Sequence, residues 1–397
     1  MNPIQKFFDK IEPLFEKGGK YEKYYTLYEG HRTILFRPKL VTGKKGVQVR
    51  DANDLKRTMI TVVIAMIPCL LFGIWNIGHQ HFLAIGETAT FIQKIGIGAI
   101  QAIPIIIVSY AVGLGTEFAV CVIRNHPVNE GYLVTGMLIA LIMPPSIPLW
   151  QVALATIFAV IIAKEVFGGT GMNVLNVALT ARAFLYFAYP TDISGEVWTY
   201  LGEATAVDGY SGATALAVAY DTALNGTGTV LESFSSFWAE GMYSFKNMFI
   251  GAIPGSIGET STLMVLIGAL ILIATGVGSW KIIFSVFAGA WLMGLGFNAI
   301  GVNAFMEMPA HYHLVIGGLA FGAVFMATDP VSAAHTETGK WIYGFLIGIL
   351  TVIIRVVNPA YPEGIMLAIL LMNVFAPLID HYVVESNKKR RLKRATV

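Results

Sequence analysis

The chain alternates long apolar stretches with short polar ones. A helix needs about 20 mostly apolar residues to cross the hydrocarbon core of a bilayer. Eight stretches meet that need: about 58–76, 96–123, 149–167, 260–278, 281–299, 313–328, 341–357 and 364–384. Two more are marginal. Residues 131–143 are short and end at Pro144-Pro145, and residues 173–189 carry Asn173, Asn176 and Arg182. Counting both predicts ten membrane helices. Ahead of them, Ile4, Phe7, Phe8, Ile11, Leu14 and Phe15 recur at helical spacing among lysines and acids. That pattern predicts an amphipathic helix lying on the membrane face or on a partner subunit.

The second half of the chain echoes the first. Gly113-Leu114-Gly115 recurs as Gly294-Leu295-Gly296, and Leu133-Val134 recurs as Leu314-Val315, both with an offset of 181. Lys164-Glu165-Val166 aligns with Arg355-Val356-Val357 once about ten extra residues near 329–340 are allowed for. Each half has five spans. Five is odd, so the second half enters the membrane in the opposite sense, the inverted-repeat plan of transporters and channels. The fold class expected is therefore an all-α polytopic membrane protein, with about ten transmembrane helices in two inverted five-helix repeats. Some helices are expected to be broken, at Met143-Pro144-Pro145 and at Thr328-Asp329-Pro330. Proline removes a backbone donor there, and the freed carbonyls could coordinate a cation.

Composition supports this picture and charge orients it. Of 397 residues, 55% are hydrophobic and only 13% charged, about half the roughly 25% of a soluble domain. The net charge of +2 hides a partition. Residues 1–58 hold 13 basic and 7 acidic residues, residues 385–397 hold 6 and 1, and the stretch between holds 8 and 17. Basic ends on an apolar body place both termini in the cytoplasm. The expected organisation is a cytoplasmic segment 1–57, a first repeat 58–189, an external loop 190–259, a second repeat 260–384 and a basic tail 385–397. The external loop carries eight acidic residues and one lysine, Lys246. Nucleic acid is a poor partner for basic tails that flank membrane spans. The two cysteines, Cys69 and Cys121, lie in apolar runs and read as buried hydrophobes, with no metal-ligand spacing.

Ionisable residues in or near spans mark functional candidates. Here they are Glu117, Glu165, Arg182, Asp329, Arg355 and Asp380, with snorkelling or a structural ion pair as the alternative for each. Asp329 directly precedes Pro330 at an expected helix break, which makes it a candidate for an ion path. Asp380 and Glu385 read as a solvated boundary. Lys164–Gly171 is a Gly-rich turn that could let backbone amides approach a ligand or could simply be a tight connection. Asn173 and Asn176 follow, three residues apart and so on one helix face; they could hydrogen-bond a planar heterocycle or glue helices together. Asp208–Leu216 (DGYSGATAL) leaves the Thr214 hydroxyl sterically accessible, although by itself it reads as a Ser-capped helix start.

Several segments together resemble one bacterial family of membrane redox subunits: HPVNEGYLVTG (126–136), AKEVFGGTGMN (163–173), DGYSGATAL (208–216), IPGSIGETSTL (253–263), MATDPVS (326–332) and RVVNPAYPEGIMLAIL (355–370). It is the NqrB/RnfD family. Its members are membrane subunits of the sodium-translocating NADH:quinone oxidoreductase (Nqr) and, more distantly, of the Rnf complex. The resemblance runs from about residue 30 to the C-terminus and is closer to the Nqr members. It implies FMN held on Thr214 through a phosphoester, within Ser211-Gly212-Ala213-Thr214, and attached by a periplasmic flavin transferase. It also implies non-covalent riboflavin near Asn173 and Asn176, and quinone near Glu130 and Gly131. Met172 and Val177 depart from the family pattern beside the riboflavin region.

The implied partners are the other members of a six-subunit complex. These include an NADH-oxidising subunit with FAD and a 2Fe-2S cluster, and the FMN-bearing NqrC. The implied activity is electron relay to quinone coupled to Na⁺ export across the inner membrane, with no catalytic residue or metal ligand assigned to this chain. An Rnf-type electron-transfer subunit and a non-redox solute channel are the rival readings. The long basic N-terminal extension favours the NADH:quinone enzyme over the first.

Overall fold

The computed structural model describes residues 3–25, 28–29, 32, 55–124, 131–194, 197–204, 206–208, 210–226, 228–237, 241–358 and 363–395. Among these the fold is helical throughout, with no strand. The amphipathic segment forms α1 (Pro3–Phe15). Glu130 lies outside the described residues.

Five helices are long and apolar enough to span a membrane. They are α2 (Leu55–Ala84), α3 (Phe91–Arg124), α11 (Trp280–Ile300), α14 (Glu337–Val357) and α15 (Ile365–Ala395). Between them lie shorter elements: α4 (Tyr132–Leu141), α5 (Leu149–Ala159) with a π-turn at Val160–Glu165, α6 (Val177–Ala188) and α10 (Thr262–Ala274). Among the described residues the ten apolar stretches are thus all at least partly helical, and five of the helices are by themselves long and apolar enough to cross. The stretch 313–328 is not one helix. It divides into a 3-10 turn (Ala310–Leu314), a short helix (Leu319–Phe321) and a π-turn (Gly322–Met326). The basic tail, expected to leave the last span near residue 385, instead continues α15 as helix to Ala395.

A helix end at membrane depth must find partners for its orphan carbonyls within the protein. From Gly136 to Leu141, α4 is wholly buried. Beyond its end, Leu141 O accepts the Gly258 N–H at 2.7 Å and Met143 O accepts the Ile257 N–H at 3.2 Å. These carbonyls, expected to be free for a cation, are taken by the loop that precedes α10.

Small residues bring the long helices together, as expected where dispersion rather than hydrophobicity drives helix contact. A Cβ on Gly348 of α14 would lie 2.2 Å from Val286 O and 2.6 Å from Ala290 N of α11. The two glycine motifs of the internal echo are used alike. A Cβ on Gly113 would strike Tyr132, and one on Gly294 would strike Ala310 and His313; Gly115 and Gly296 face open space. Tyr132 and His313 are themselves 181 positions apart. The first helices of the two halves, α2 and α10, touch at Ala65 and Gly268. They run in opposite directions: late α2 meets the start of α10 through Asn76 and Thr260, and early α2 shares a cavity with Leu272 at the far end of α10.

A second core lies outside this bundle. It joins α7 (Ala215–Asn225) and α8 (Val230–Ser236) with Tyr243, Met248, Phe305, Met308, Val315 and Ile316. Described residues between Ala215 and Ile253 are therefore packed against residues 305–316.

Gly348→Leu is expected to force α11 and α14 apart and to cost about 1–3 kcal/mol. Thermal unfolding in detergent should show the loss, whereas Gly115→Leu and Gly296→Leu should stay close to the parent.

Candidate functional site

Two cavities sit at opposite ends of α2. The larger, about 280 Å³, is lined by Thr214, Ala215 and Tyr220 of α7, by Arg182 and Tyr186 of α6, by Trp198, and by Ser256, Glu259, Gly318 and Glu363. The smaller, about 90 Å³, is lined by Thr58 and Met59 of α2, Gly131, Lys164, Thr170, Asn173, Asn176, Phe325 and Asp329, among others. The 253–260 loop that lines the first cavity is held to α2 by Asn76, whose Nδ2 donates to Ile253 O at 2.9 Å. Thr58 and Asn76 are 18 residues apart, about 27 Å along a helix, close to the hydrocarbon thickness. At the end with the smaller cavity α2 begins, and Asp380, well along α15, meets His335 and Thr336.

Thr214 is the N-cap of α7. Its Oγ1 accepts the Ala217 N–H at 3.2 Å, and Ser211 Oγ accepts the Ala213 N–H. The sequence reading of a Ser-capped helix start is corrected to a Thr cap. Gly212 is buried, while Ser211, Ala213 and Thr214 are half-buried. An anion on the Thr214 oxygen would sit where free backbone N–H groups and the helix dipole favour negative charge. Tyr243 supports the turn from beneath by donating its hydroxyl to Ala213 O.

Arg182 reaches across the protein to two acids that sequence reasoning missed. Its Nη2 lies 2.7 Å from Glu363 Oε2 and its Nη1 lies 3.8 Å from Glu259 Oε2. The guanidinium also lies over the Trp198 ring, 5.2 Å from its centroid. Ser256 donates to Glu259 Oε2 at 2.5 Å. Burial pushes the Glu259 carboxyl well above the usual range and Glu363 adds to this, while Arg182 and Ser256 pull it back. The signal was available: a span-end arginine demands a counter-charge. What the sequence lacked was which acid supplies it.

The other candidates separate. Asn173 and Asn176 line the smaller cavity with Gly131 and Asp329, so three proposed functions meet in one place. They do not share a helix face, because α6 begins only at Val177. Asn176 is its N-cap, accepting the Leu179 N–H at 3.2 Å, and Asn173 precedes it, donating to Leu175 O. Asp329 accepts from Ser332 Oγ at 2.6 Å and from the Val331 N–H. Glu117 forms a buried pair with Lys164 at 2.9 Å, with side chains 2% and 3% exposed. Glu165, next to Lys164, is also buried, within the π-turn. Arg355 donates to the carbonyls of His313, Ile316 and Glu363 and is structural. Asp380 accepts from the His335 and Thr336 N–H groups and ties α15 to the start of α14. Cys69 and Cys121 are buried and free.

The sequence model of the NQR2, RnfD, RnfE family matches residues 42–389. The B subunit of the Na(+)-translocating NADH-quinone reductase of Chromohalobacter salexigens is 51% identical over 415 residues, covering 98% of this chain and 96% of that protein. The B subunits of the same reductase in Stutzerimonas stutzeri and Pseudomonas aeruginosa are 50% and 47% identical, each covering 98% of this chain and 99% of its own length.

Breaking the Lys164–Glu117 pair removes the cation 2.9 Å from a buried carboxylate. Lys164→Met is expected to lose about 3–5 kcal/mol, and Lys164→Met with Glu117→Leu to recover most of it. Chemical denaturation of the two variants side by side checks this.

Proposed function

The chain belongs to the NQR2, RnfD, RnfE family, and from that membership we infer that it is the B-type membrane subunit of a sodium-translocating NADH:quinone reductase. In this reading it lies in the bacterial inner membrane with both termini cytoplasmic and the Thr214 cavity outside. The two halves form an inverted five-helix repeat, which the antiparallel α2 and α10 and the matched glycine contacts support. The domain limits expected from the sequence follow the same plan. A partner subunit oxidises NADH, and this chain carries electrons inward to quinone while Na⁺ moves outward.

One observation carries the reading. Thr214 is a helix N-cap whose oxygen opens on a cavity lined by aromatic rings and an arginine. FMN joined to Thr214 by a phosphoester would set its phosphate on the α7 N-terminus, a favourable place for an anion. Tyr186, Trp198 and Tyr220 offer rings for an isoalloxazine, and Arg182 offers a cation beside it. A flavin there supplies the ability to accept and pass electrons singly or in pairs. The protein's part is to hold it, to exclude lipid and to balance its charge.

At the other end, Asn173 and Asn176 suit a heterocycle in donors and acceptors. The cavity of about 90 Å³ is too small for a three-ring system without movement of neighbouring side chains. Asp329 in the same cavity suits a cation, and Gly131 marks where quinone would approach. Near-complete coverage of reductase B subunits favours this reading over an Rnf-type subunit or a solute channel.

Thr214→Ala is expected to abolish the flavin fluorescence of this subunit's band in a denaturing gel. A band that stayed fluorescent would sink the attachment site. Asn173→Leu, which spares the helix cap at Asn176, is expected to lower extractable riboflavin and leave the covalent flavin intact. Unchanged riboflavin on extraction would remove Asn173 from the site.

A further inference from the structure

The larger cavity holds two acids where one would serve to anchor Arg182. A Cβ on Gly318 would lie 2.7 Å from Glu259 Oε1 and 3.2 Å from Glu363 Oε1. Both carboxyls therefore converge on one glycine, and only the missing side chain makes room for them. Their surroundings are unequal. Glu363 takes the short bond from Arg182, and Glu259 the long one. The Glu259 side chain is 5% exposed, whereas that of Glu363 is 17% exposed. The other groups facing them are Ser256 on the Glu259 loop, Arg355 of α14 with its Nε 3.0 Å from Glu363 O, and Tyr186 of α6 near Glu363. Two like charges this close and this buried are costly, and such a pair has a raised affinity for one proton that any further negative charge nearby increases.

We propose that Glu259 and Glu363 are a redox-linked proton site: the pair binds one proton when an electron reaches the group on Thr214, and releases it when that electron leaves. This rests on the reading of Thr214 as a flavin attachment point. The balance is simple. A reduced flavin carrier of a partner subunit gives one electron, which adds one negative charge to the cavity. Water on the Thr214 side gives one proton through the more exposed Glu363, and an O–H bond forms at the pair. Re-oxidation by the next carrier breaks that bond and returns the proton to the same side. The coupling is reciprocal, so the proton must in turn raise the electron affinity of the cavity. Arg182 holds the pair in place and prevents either acid from turning away. In this role Glu259 and Glu363 are positioning and charge-balancing residues; they make no bond to the flavin.

The test is a redox titration of the covalent flavin in the purified complex across the neutral pH range, for the parent and Glu259→Gln. Infrared difference spectra between the reduced and oxidised forms accompany it. In the parent the midpoint potential should fall as pH rises, and reduction should give a carboxylic-acid C=O band. In Glu259→Gln the covalent fluorescence should remain, the slope should flatten and the band should vanish. A slope and band equal to the parent's in a flavin-loaded Glu259→Gln protein would overturn the proposal. Should Glu259→Gln not assemble, Ser256→Ala replaces it. Losing a hydroxyl that favours the carboxylate should move the potential's pH transition to higher pH, and an unmoved transition would count against the pair. Absence of covalent flavin from the parent chain would instead refute the reading of Thr214, a separate result.

Discussion

The low dielectric of the membrane interior forbids an unpaired backbone group, and the placement of both cavities follows from how that demand is met. Helix α4 stops inside the protein, at Leu141, before the Pro144-Pro145 pair. Its last carbonyls have no water to turn to, so Ile257 and Gly258 from the other half of the chain must supply the donors. Gly258 allows the approach, because a Cβ there would come within 2.8 Å of the Leu141 side chain. That contact fixes the 253–260 loop, and the same loop carries Ser256 and Glu259 to the Thr214 cavity. One unsatisfied helix end thus decides where a charged cluster forms.

Charge obeys the same demand. Lys164 and Glu117 tie α3 to the π-turn below α5, and Arg182 ties α6 to Glu259 and Glu363 of the second half. Arg355, the counterpart of Lys164 in the internal echo, spends its donors on three carbonyls rather than on a carboxylate. The echoed positions therefore keep a cation at the end of the fourth helix of each half but solve its burial differently. Tyr132 and His313 mark the same divergence. Each packs on the glycine of its half, but Tyr132 has a lysine over its ring and His313 stacks on Phe305.

Most of the fold was legible because the bilayer imposes a crude rule. Apolar length marked the stretches of the membrane part, all of which are at least partly helical. The misreadings came where helices are short or interrupted. Hydropathy averages over a window, so it cannot tell a full span from the chain of turns at 310–326, nor show that α6 waits until Val177. Small neighbours and the family resemblance marked Thr214 as a candidate in the sequence. That it caps α7 was not, because Ser211 offered an equally good cap three residues earlier.

The sequence by itself determined that this protein lives in a membrane, which residues are apolar enough to meet lipid, and the family it joins. Each of these depends on composition or on a local run, which does not change when the chain folds. The tertiary structure alone decided that Arg182, Glu259 and Glu363 meet, and that Gly131, Asn173, Asn176 and Asp329 line one cavity. Those residues come from distant parts of the chain, with Arg182 and Glu363 separated by 181 positions. Their pairing is chosen by the cost of burying a charge alone. That cost exists only once the helices have closed around it.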